Sequence, residues 1–326
     1  MKINDFVIND SVAYKNRPFS DSEHVCDSSL WKGDIVEHTT SWLTINPIKG
    51  CSLACAYCFR EKWNEPNKPY TAFGVEESIE ALINHKDFIA HKTPISINIS
   101  STDCLLPTVK DNTFACLQLL DNLNLKNIVG LTTKLKFSQD DIIFLSTLKN
   151  IRLIIYVSYA DIPFRIEPVS LEDRITNLEL LKSINIPTIL YFRPIVKGWN
   201  DDDVKIKNIL SIAKKYTNAV VIGGLRISKE ISDVFEKRKI DYPKDINNFY
   251  HKNIPLDILE KISRLADEIE LTIPIYLHTS CANSYVFDMP NYNFLFEEPT
   301  KNCVKTCPPS QRNLCNMSVD EKLLII

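Results

Sequence analysis

The sequence predicts an α/β fold in which helices cover a parallel β-sheet. Seven short apolar runs alternate along the chain with longer segments in which apolar residues recur at helical spacing. The runs are apolar throughout, which is typical of strands that are buried on both faces. With 326 residues the chain is long enough for one barrel-sized domain with extensions. We therefore expect an open or nearly closed (β/α) barrel.

The elements follow one another in strict alternation. The predicted strands are Ser41–Pro47, Ile95–Ile99, Ile128–Leu131, Leu153–Val157, Thr188–Phe192, Ala219–Ile222 and Thr272–Leu277. The predicted helices between them are Phe73–Ile83, Thr113–Leu123, Asp140–Leu148, Leu171–Ser183, Asp203–Tyr216 and Leu256–Ile269. Chemistry in such barrels sits at the carboxyl ends of the strands. One mouth is thus expected to be lined by the loops after Asn46, Ile99, Leu131, Val157, Phe192, Ile222 and Leu277.

Three further segments flank or interrupt the predicted barrel core, which we place at residues 41–278. Residues 1–40 form an N-terminal leader. Residues 228–255 are rich in Lys, Asp and Asn, which indicates a solvated insertion. Residues 279–326 form a cysteine-rich extension that we expect to bind metal.

Composition narrows the class of protein. The apolar share of 44% and the charged share of 24% are ordinary for a soluble globular protein. Neither a signal peptide nor a stretch of roughly 18 uncharged residues is present, so we expect a cytoplasmic protein without membrane contact. In a reducing cytosol the ten cysteines indicate metal ligands, catalytic thiols or buried small residues more than disulfides. A net charge of −3 gives no global attraction to nucleic acid.

The most informative motif is a run of three cysteines, Cys51, Cys55 and Cys58, directly after the first predicted strand. The Cys-x3-Cys-x2-Cys spacing allows one loop to bind three irons of a [4Fe–4S] cluster and leaves the fourth iron open. A structural zinc site is the alternative. Zinc sites usually pair two Cys-x2-Cys knuckles, and no second knuckle follows at the usual distance.

This motif, with an aromatic Tyr57 and Phe59 on either side of the last cysteine, resembles the signature of the radical S-adenosylmethionine (radical SAM) enzymes. The resemblance implies that the amine and carboxylate of SAM bind the open iron. It also implies that one electron from the cluster cleaves SAM to a 5′-deoxyadenosyl radical. A reductant such as flavodoxin or ferredoxin would then be a partner.

The loop after the second strand lacks the Gly-Gly-Glu motif of many radical SAM proteins. Its sequence from Ser100 to Pro107 resembles instead the spore photoproduct lyase-like branch, a similarity that extends over roughly residues 42–205. The resemblance implies that Thr102 and Asp103 contact the amino end of SAM. It further implies that Lys134 binds the carboxylate of SAM and that Ser158 binds its ribose or methionine portion. Arg193 is expected to reach SAM or the substrate.

One position departs from that branch. Where the resemblance places a cysteine that returns a hydrogen atom to the product, this chain has Ser100, and a serine O–H bond is too strong for that role. Cys104 is the candidate substitute, although a lone cysteine is more often a buried small residue. Repair of the spore lesion itself is therefore disfavoured.

A second cysteine group lies near the carboxyl terminus. Cys281, Cys303, Cys307 and Cys315 fall within 35 residues. Four thiolates brought together need a metal to neutralise them, which predicts an auxiliary iron–sulfur cluster or a structural zinc. Unliganded cysteines are the third alternative, and His278 is a candidate replacement for one thiolate.

These observations favour a radical SAM enzyme that abstracts hydrogen from a peptide or small molecule, assisted by a second cluster. Two other functions remain open. One is base or lesion chemistry on nucleic acid, which the lyase-like resemblance and a few short Lys pairs suggest, and the other is a non-catalytic iron–sulfur or zinc protein.

Overall fold

The structure is a computed structural model that describes residue 3 and residues 35–39, 41–63, 66–244, 252–294 and 306–325. Its strands are β1 (Val36–His38), β2 (Leu43–Ile45), β3 (Ile48–Lys49), β4 (Tyr70–Thr71), β5 (Ile95–Ile97), β6 (Ile128–Thr133), β7 (Arg152–Ser158), β8 (Thr188–Ile195), β9 (Ala219–Gly224) and β10 (Ile275–Tyr276). Its α-helices are α1 (Val75–Ile83), α2 (Lys110–Asn122), α3 (Gln139–Thr147), α4 (Leu171–Ser183), α5 (Asp203–Tyr216), α6 (Lys229–Lys237), α7 (Leu256–Glu268), α8 (Thr279–Val286), α9 (Pro309–Asn316) and α10 (Val319–Ile325).

Eight strands form one sheet in the order β1-β2-β5-β6-β7-β8-β9-β10. From β2 to β10 every neighbouring pair is parallel, and β1 adds an antiparallel edge strand. The sheet is open, since β1 and β10 are its two edges. The predicted α/β class and the seven parallel strands are thereby confirmed. The barrel is partial, and its first strand pairs with the end of the predicted leader.

The outer face of the sheet packs against the helices that connect the strands. Alternate strand residues such as Val129, Ile155 and Leu190 point toward these helices and meet residues such as Leu117 and Leu178. Side-chain N-caps begin several of these helices; Ser138, Ser170 and Ser228 each accept a hydrogen bond from the third residue of their helix. These caps set the ends of the strand-to-helix loops from which the site is built.

The inner face of the sheet is covered by α8, which runs from the carboxyl ends of the strands toward their amino ends. Thr279 Oγ1 shares a hydrogen bond with the Tyr191 hydroxyl at 2.9 Å. One turn further on, the Tyr156 hydroxyl donates to Asn283 Oδ1. Past the helix end, the Arg152 guanidinium lies 2.6 Å from the Met289 sulfur, at the start of β7. The segment that begins the predicted cysteine-rich extension therefore packs inside the barrel.

The segment predicted as a solvated insertion contributes to the core. Ile231 and Phe235 of α6 are fully buried, and Phe235 packs against the Trp199 ring. The charged residues that suggested a solvated segment form one face of an amphipathic helix. Their number obscured the apolar face of the same helix. Within the described part of the chain, none of the helices combines the length and apolar character that a membrane span requires.

Candidate active site

The cysteine loop begins at a glycine that no other residue can replace without moving the backbone. Gly50 has a φ of +92°, and a Cβ built on it would lie 2.4 Å from the carbonyl oxygen of Lys68. The Cys51 amide donates to Pro66 O at 3.2 Å, which closes the loop at its start. At its end, the Cys58 amide donates to Cys55 O at 3.1 Å, and a short 3₁₀-helix, Phe59–Trp63, follows. The loop is thus bent around its three cysteines.

The loop after β7 fixes the cysteine loop from the side. The Ala56 amide donates to Ile166 O at 2.8 Å, and the Tyr57 hydroxyl donates to the Glu167 carboxylate. Glu167 in turn forms a fully buried ion pair with Arg174 at 2.5 Å. Arg174 reaches the main chain of Ser158 with a hydrogen bond of 2.9 Å. The aromatic residue between the second and third cysteine therefore connects the loop to the end of β7.

The three cysteines line one cleft at the carboxyl ends of the strands, with a space of about 830 Å³ that includes its open mouth. Thr102 and Asp103 from the loop after β5, and Thr132 and Lys134 from the end of β6, complete its wall. The remaining lining residues are Leu53, Ala54, Tyr57, Phe59, Arg60, Glu61, Asn67 and Ile99. The structure therefore brings together six residues that the sequence predicted: Cys51, Cys55, Cys58, Thr102, Asp103 and Lys134.

The donor set of the cleft suits an iron–sulfur cluster with a bound polar ligand, since three thiols, two threonine hydroxyls and one ammonium line the same space. Among the described residues, no three His, Cys, Asp or Glu side chains converge in a way that would hold one ion. Burial raises the pKa of Cys55 to about 12 and also raises the pKa of Cys58, so a cationic partner is needed to hold these thiols as thiolates. The hydroxyl oxygens of Thr102 and Thr132 are buried without a partner in the described structure. Such orphan polar atoms are expected where a polar ligand binds.

Asp103 and Lys134 are neighbours in this wall but have different partners. The Asp103 carboxylate accepts hydrogen bonds from the Leu105 amide at 3.0 Å, the Thr133 hydroxyl at 2.8 Å and the Lys134 amide at 2.7 Å. Asp103 therefore ties the loop after β5 to the end of β6. The Lys134 ammonium lies 3.9 Å from Glu167, close enough for attraction but too far for a hydrogen bond, and keeps donors for a ligand.

A second, larger cavity adjoins the cysteine cleft, and the two share Phe59 and Ile99 as wall residues. It encloses about 1780 Å³ with its mouth included. Its wall comes mainly from the segments before β2 and α7, from the loops after β5, β9 and β10, and from β8. The polar and charged members of this wall are Thr39, Ser41, Ser100, Arg193, Arg226, Lys252, Asn253, His278 and Thr279.

Comparison with known proteins gives structural matches alone, since no protein-family model and no curated protein sequence matches the chain. A spore photoproduct lyase variant with a dinucleoside spore photoproduct aligns at a TM-score of 0.54 and 11% identity, over 76% of this chain and 78% of that chain. Streptococcus suis SuiB bound to the precursor peptide SuiA aligns at 0.52 and 14% identity, over 74% and 49%. SuiB bound to S-adenosylmethionine aligns at 0.50 and 12%, over 78% and 54%. Both are radical SAM proteins.

The chain folds as a partial radical SAM barrel. It spans about half the length of SuiB. The expected resemblance, drawn from the cysteine loop and the strand-end residues, is confirmed at the level of the fold.

Three predicted residues lie outside the cysteine cleft of this radical SAM barrel. Ser158 is buried at the end of β7, where its carbonyl oxygen accepts from Arg174. Cys104 is buried in the core and its thiol donates to Thr132 O at 3.4 Å, so it lines neither cavity. Burial raises the pKa of the Cys104 thiol well above its usual range. Arg193 lines the second cavity instead. The same cavity is also lined by Ser100, the residue that stands in place of the expected cysteine.

The carboxyl-terminal cysteines that the structure describes lie near two residues, Asn291 and Tyr276. Asn291 donates from its side chain to Cys281 at 3.2 Å and from its amide to Cys315 at 3.3 Å. Burial raises the pKa of the Tyr276 hydroxyl, and the nearby Cys307 and Cys281 raise it further. Cys303 lies outside the described residues. The predicted four-cysteine site stays a prediction.

Sequence reasoning missed Arg226 and Lys252 as site residues. Lys252 stands in residues 228–255, whose charge density indicates a solvated surface, and Arg226 lies just before that segment. Nothing in their immediate sequence marks either of them as a cavity residue. The one available signal was position: Arg226 follows a predicted strand end at Ile222 by four residues.

Proposed function

We propose that this chain is a radical SAM enzyme that cleaves S-adenosylmethionine reductively and abstracts hydrogen from a peptide or small-molecule substrate. The observation that carries the proposal is the single cleft in which Cys51, Cys55 and Cys58 meet Thr102 and Lys134 at the carboxyl edge of the sheet. A [4Fe–4S] cluster bound there would supply one electron to the sulfonium of SAM and so release methionine and a 5′-deoxyadenosyl radical.

The residues of the cleft have distinct tasks in this proposal. The three cysteines hold the cluster. Thr102 offers its unpartnered hydroxyl to the amino end of SAM, and Lys134 neutralises the carboxylate of SAM. Asp103 positions Lys134 by accepting a hydrogen bond from its main-chain amide. The second cavity, which shares a wall with this cleft, receives the substrate.

A peptide or small molecule is the favoured substrate class. SuiB, one of the structural matches, is bound to a precursor peptide in its structure. Phe59 and Ile99 line both cavities, so a substrate in the second cavity would lie next to the cleft. An auxiliary iron–sulfur cluster at Cys281, Cys303, Cys307 and Cys315 would add electron transfer or substrate ligation. Flavodoxin or ferredoxin would supply the first electron.

Nucleic acid is the second candidate substrate, because the chain also aligns with a spore photoproduct lyase over most of both chains. Ser100 in the wall of the second cavity speaks against the same reaction, since it stands where that resemblance places the cysteine.

The test is reductive SAM cleavage by anaerobically reconstituted, dithionite-reduced protein. We expect 5′-deoxyadenosine and methionine from the wild-type protein and none above background from the Cys55→Ala variant. Equal amounts from the two proteins, with or without added peptide or oligonucleotide, would contradict the proposal.

A further inference from the structure

The second cavity concentrates positive charge from three separate parts of the chain. Arg193 belongs to β8, Arg226 follows β9, and Lys252 precedes α7. His278 adds an imidazole at the start of α8. No carboxylate stands among the described residues that line the cavity. The whole chain carries a net charge of −3, so the positive charge of this cavity is opposite in sign to the net charge of the chain.

Arg193 is braced in a fixed orientation. Its guanidinium stacks on the Tyr191 ring, 3.4 Å from the ring centroid. The Tyr191 hydroxyl shares a hydrogen bond of 2.9 Å with Thr279 at the start of α8. A guanidinium held on a buried ring keeps its fork of donors arranged for two oxygens of a carboxylate or phosphate.

Lys252 is held beside Arg193 by the backbone of β9. The amide of Gly224 donates to Lys252 O at 2.9 Å. A Cβ built on the preceding residue, Gly223, would lie 3.5 Å from Lys252 Cδ and 3.6 Å from Arg193 Cδ. The aliphatic parts of the two cationic side chains therefore flank the same glycine, and both residues line the cavity.

The charges of this group repel one another in the described structure. Burial lowers the pKa of Lys252 well below its ordinary value, and Arg193 and Arg226 lower it further. Arg193 and Lys252 form no ion pair with any residue in the described ranges. A bound anion would offset this repulsion and gain charge-assisted hydrogen bonds.

We propose that the second cavity binds the phosphate or carboxylate group of a small anionic substrate between Arg193, Arg226 and Lys252. The proposal rests on the proposed function, because it places this anion beside the SAM cleft across the shared wall of Phe59 and Ile99. The cavity is larger than a single anion requires, which leaves room for the part of the substrate that reacts.

The experiment measures binding of inorganic phosphate and of glutarate to the full-length, reconstituted protein by calorimetry. Arg193→Gln and Lys252→Gln each remove one cation and are expected to weaken binding of the preferred anion at least tenfold. Lys237→Gln, an exposed position on α6, is the matched control and is expected to bind as the wild type does. Lys252→Arg keeps the charge and is expected to retain most of the affinity, which separates loss of charge from loss of folding. Tighter binding of phosphate would indicate a substrate with a phosphate group, and tighter binding of glutarate a substrate with a carboxylate group.

Three results would overturn the inference. The first is that neither anion binds, or that both bind equally to wild-type protein and to the two Gln variants. The second is that the Gln variants lose SAM affinity while anion binding is unchanged, which would assign the cations to SAM. The third is that an oligonucleotide binds with much higher affinity than either small anion. SAM cleavage without substrate is measured in parallel, so that a failure of the radical SAM proposal is seen separately.

Discussion

Thr102 and Asp103 are adjacent in the chain, yet their side chains are in opposite situations. The Asp103 carboxylate is occupied by three donors of the protein itself, whereas the Thr102 hydroxyl is buried without a described partner. Both were expected to contact the amino end of SAM. Of the two side chains, Thr102 therefore has a hydroxyl that can still hydrogen-bond to a ligand. Asp103 instead positions the end of β6 through its hydrogen bonds.

Thr102→Val should therefore weaken SAM binding without destabilising the protein. The valine removes a buried hydroxyl that has no protein partner, so the free energy of unfolding should stay the same or rise. The matched variant Thr133→Val removes a donor from the buried Asp103 carboxylate and should lower the free energy of unfolding by about 1–3 kcal/mol. Urea unfolding and SAM titration of both variants check this. A stability loss at Thr102 as large as that at Thr133 would show that its hydroxyl has a structural partner.

Lys134→Ala should weaken SAM binding and leave the iron content unchanged. The lysine is proposed to neutralise a carboxylate and not to bind iron, and loss of one charge-assisted bond is on the order of 1.5–3 kcal/mol, or roughly tenfold to a hundredfold in affinity. Equilibrium dialysis of SAM with iron analysis of the same samples gives both quantities. An unchanged dissociation constant would remove Lys134 from the SAM site.

At the scale of elements, the site depends on contacts between loops that follow different strands. The loop after β7 holds the cysteine loop through Tyr57 and Glu167, and Arg174 of α4 completes that buried group. The segment before α7 is held on β9 at Gly224. Replacing Arg174 should therefore disturb mainly the cysteine cleft, and replacing Gly224 should disturb mainly the second cavity.

Arg174→Met should lower the free energy of unfolding by about 3–5 kcal/mol, because it leaves Glu167 buried without its strongest partner. The exposed Arg165 in the same loop is the control, and Arg165→Met should change stability by no more than about 0.5 kcal/mol. Chemical denaturation gives both values. Similar effects of the two substitutions would mean that the buried pair contributes nothing specific to the contact between the two loops.

Gly224→Ala should displace the segment that carries Lys252. A Cβ at this position would lie 2.0 Å from the carbonyl oxygen of Asn253, a backbone atom that cannot rotate away. We expect a loss of about 1–3 kcal/mol in stability and weaker anion binding. The neighbouring Gly223→Ala meets side-chain carbons at ordinary contact distances and should be tolerated. Thermal unfolding of the pair tests this, and equal behaviour would place the obstruction elsewhere.

The strands were predictable because most of them are short, largely apolar runs, and such residues are buried on both faces of a covered sheet. The cleft was predictable in part, since the cysteine spacing and the strand-end Thr102 and Lys134 are local signals. The course of α8 was not predictable. Ser280, Asn283 and Ser284 give it a polar sequence, yet all three are buried. Asn283 accepts from Tyr156 of a distant strand, whereas Ser280 and Ser284 bond to residues of the loop that follows the helix. Of the cations of the second cavity, Arg193 was predicted, whereas Arg226 and Lys252 were missed because only the fold brings these three distant residues together.

At the scale of the molecule, α8 connects the second cavity to the carboxyl-terminal cysteines. Its first residue, Thr279, lines the cavity, and Cys281 lies in its first turn beside Asn291. α9 adds Cys315 at the same asparagine. A metal at this place would lie against the inner face of the sheet, within one helical turn of the second cavity.

If Cys281, Cys303, Cys307 and Cys315 bind one metal site, a triple Cys51/Cys55/Cys58→Ala variant should retain metal. About four irons and four sulfides per chain would indicate an auxiliary cluster, whereas about one zinc would indicate a structural site. Elemental analysis and sulfide determination of the purified variant distinguish the two. A folded variant without metal would eliminate both.

The position of α8 also has a consequence for the order in which the molecule assembles. The hydrogen bond between Tyr156 and Asn283 spans 127 residues of sequence, and that between Thr93 and Tyr292 spans 199. Contacts between residues so far apart in sequence form late in folding, because the entropy of closing a long loop is lost before the contact can stabilise the chain. During synthesis the strands emerge first, and their inner face stays uncovered until the chain past residue 289 has left the ribosome. The nascent sheet is therefore the stage at which this protein is most exposed to aggregation and to binding by chaperones.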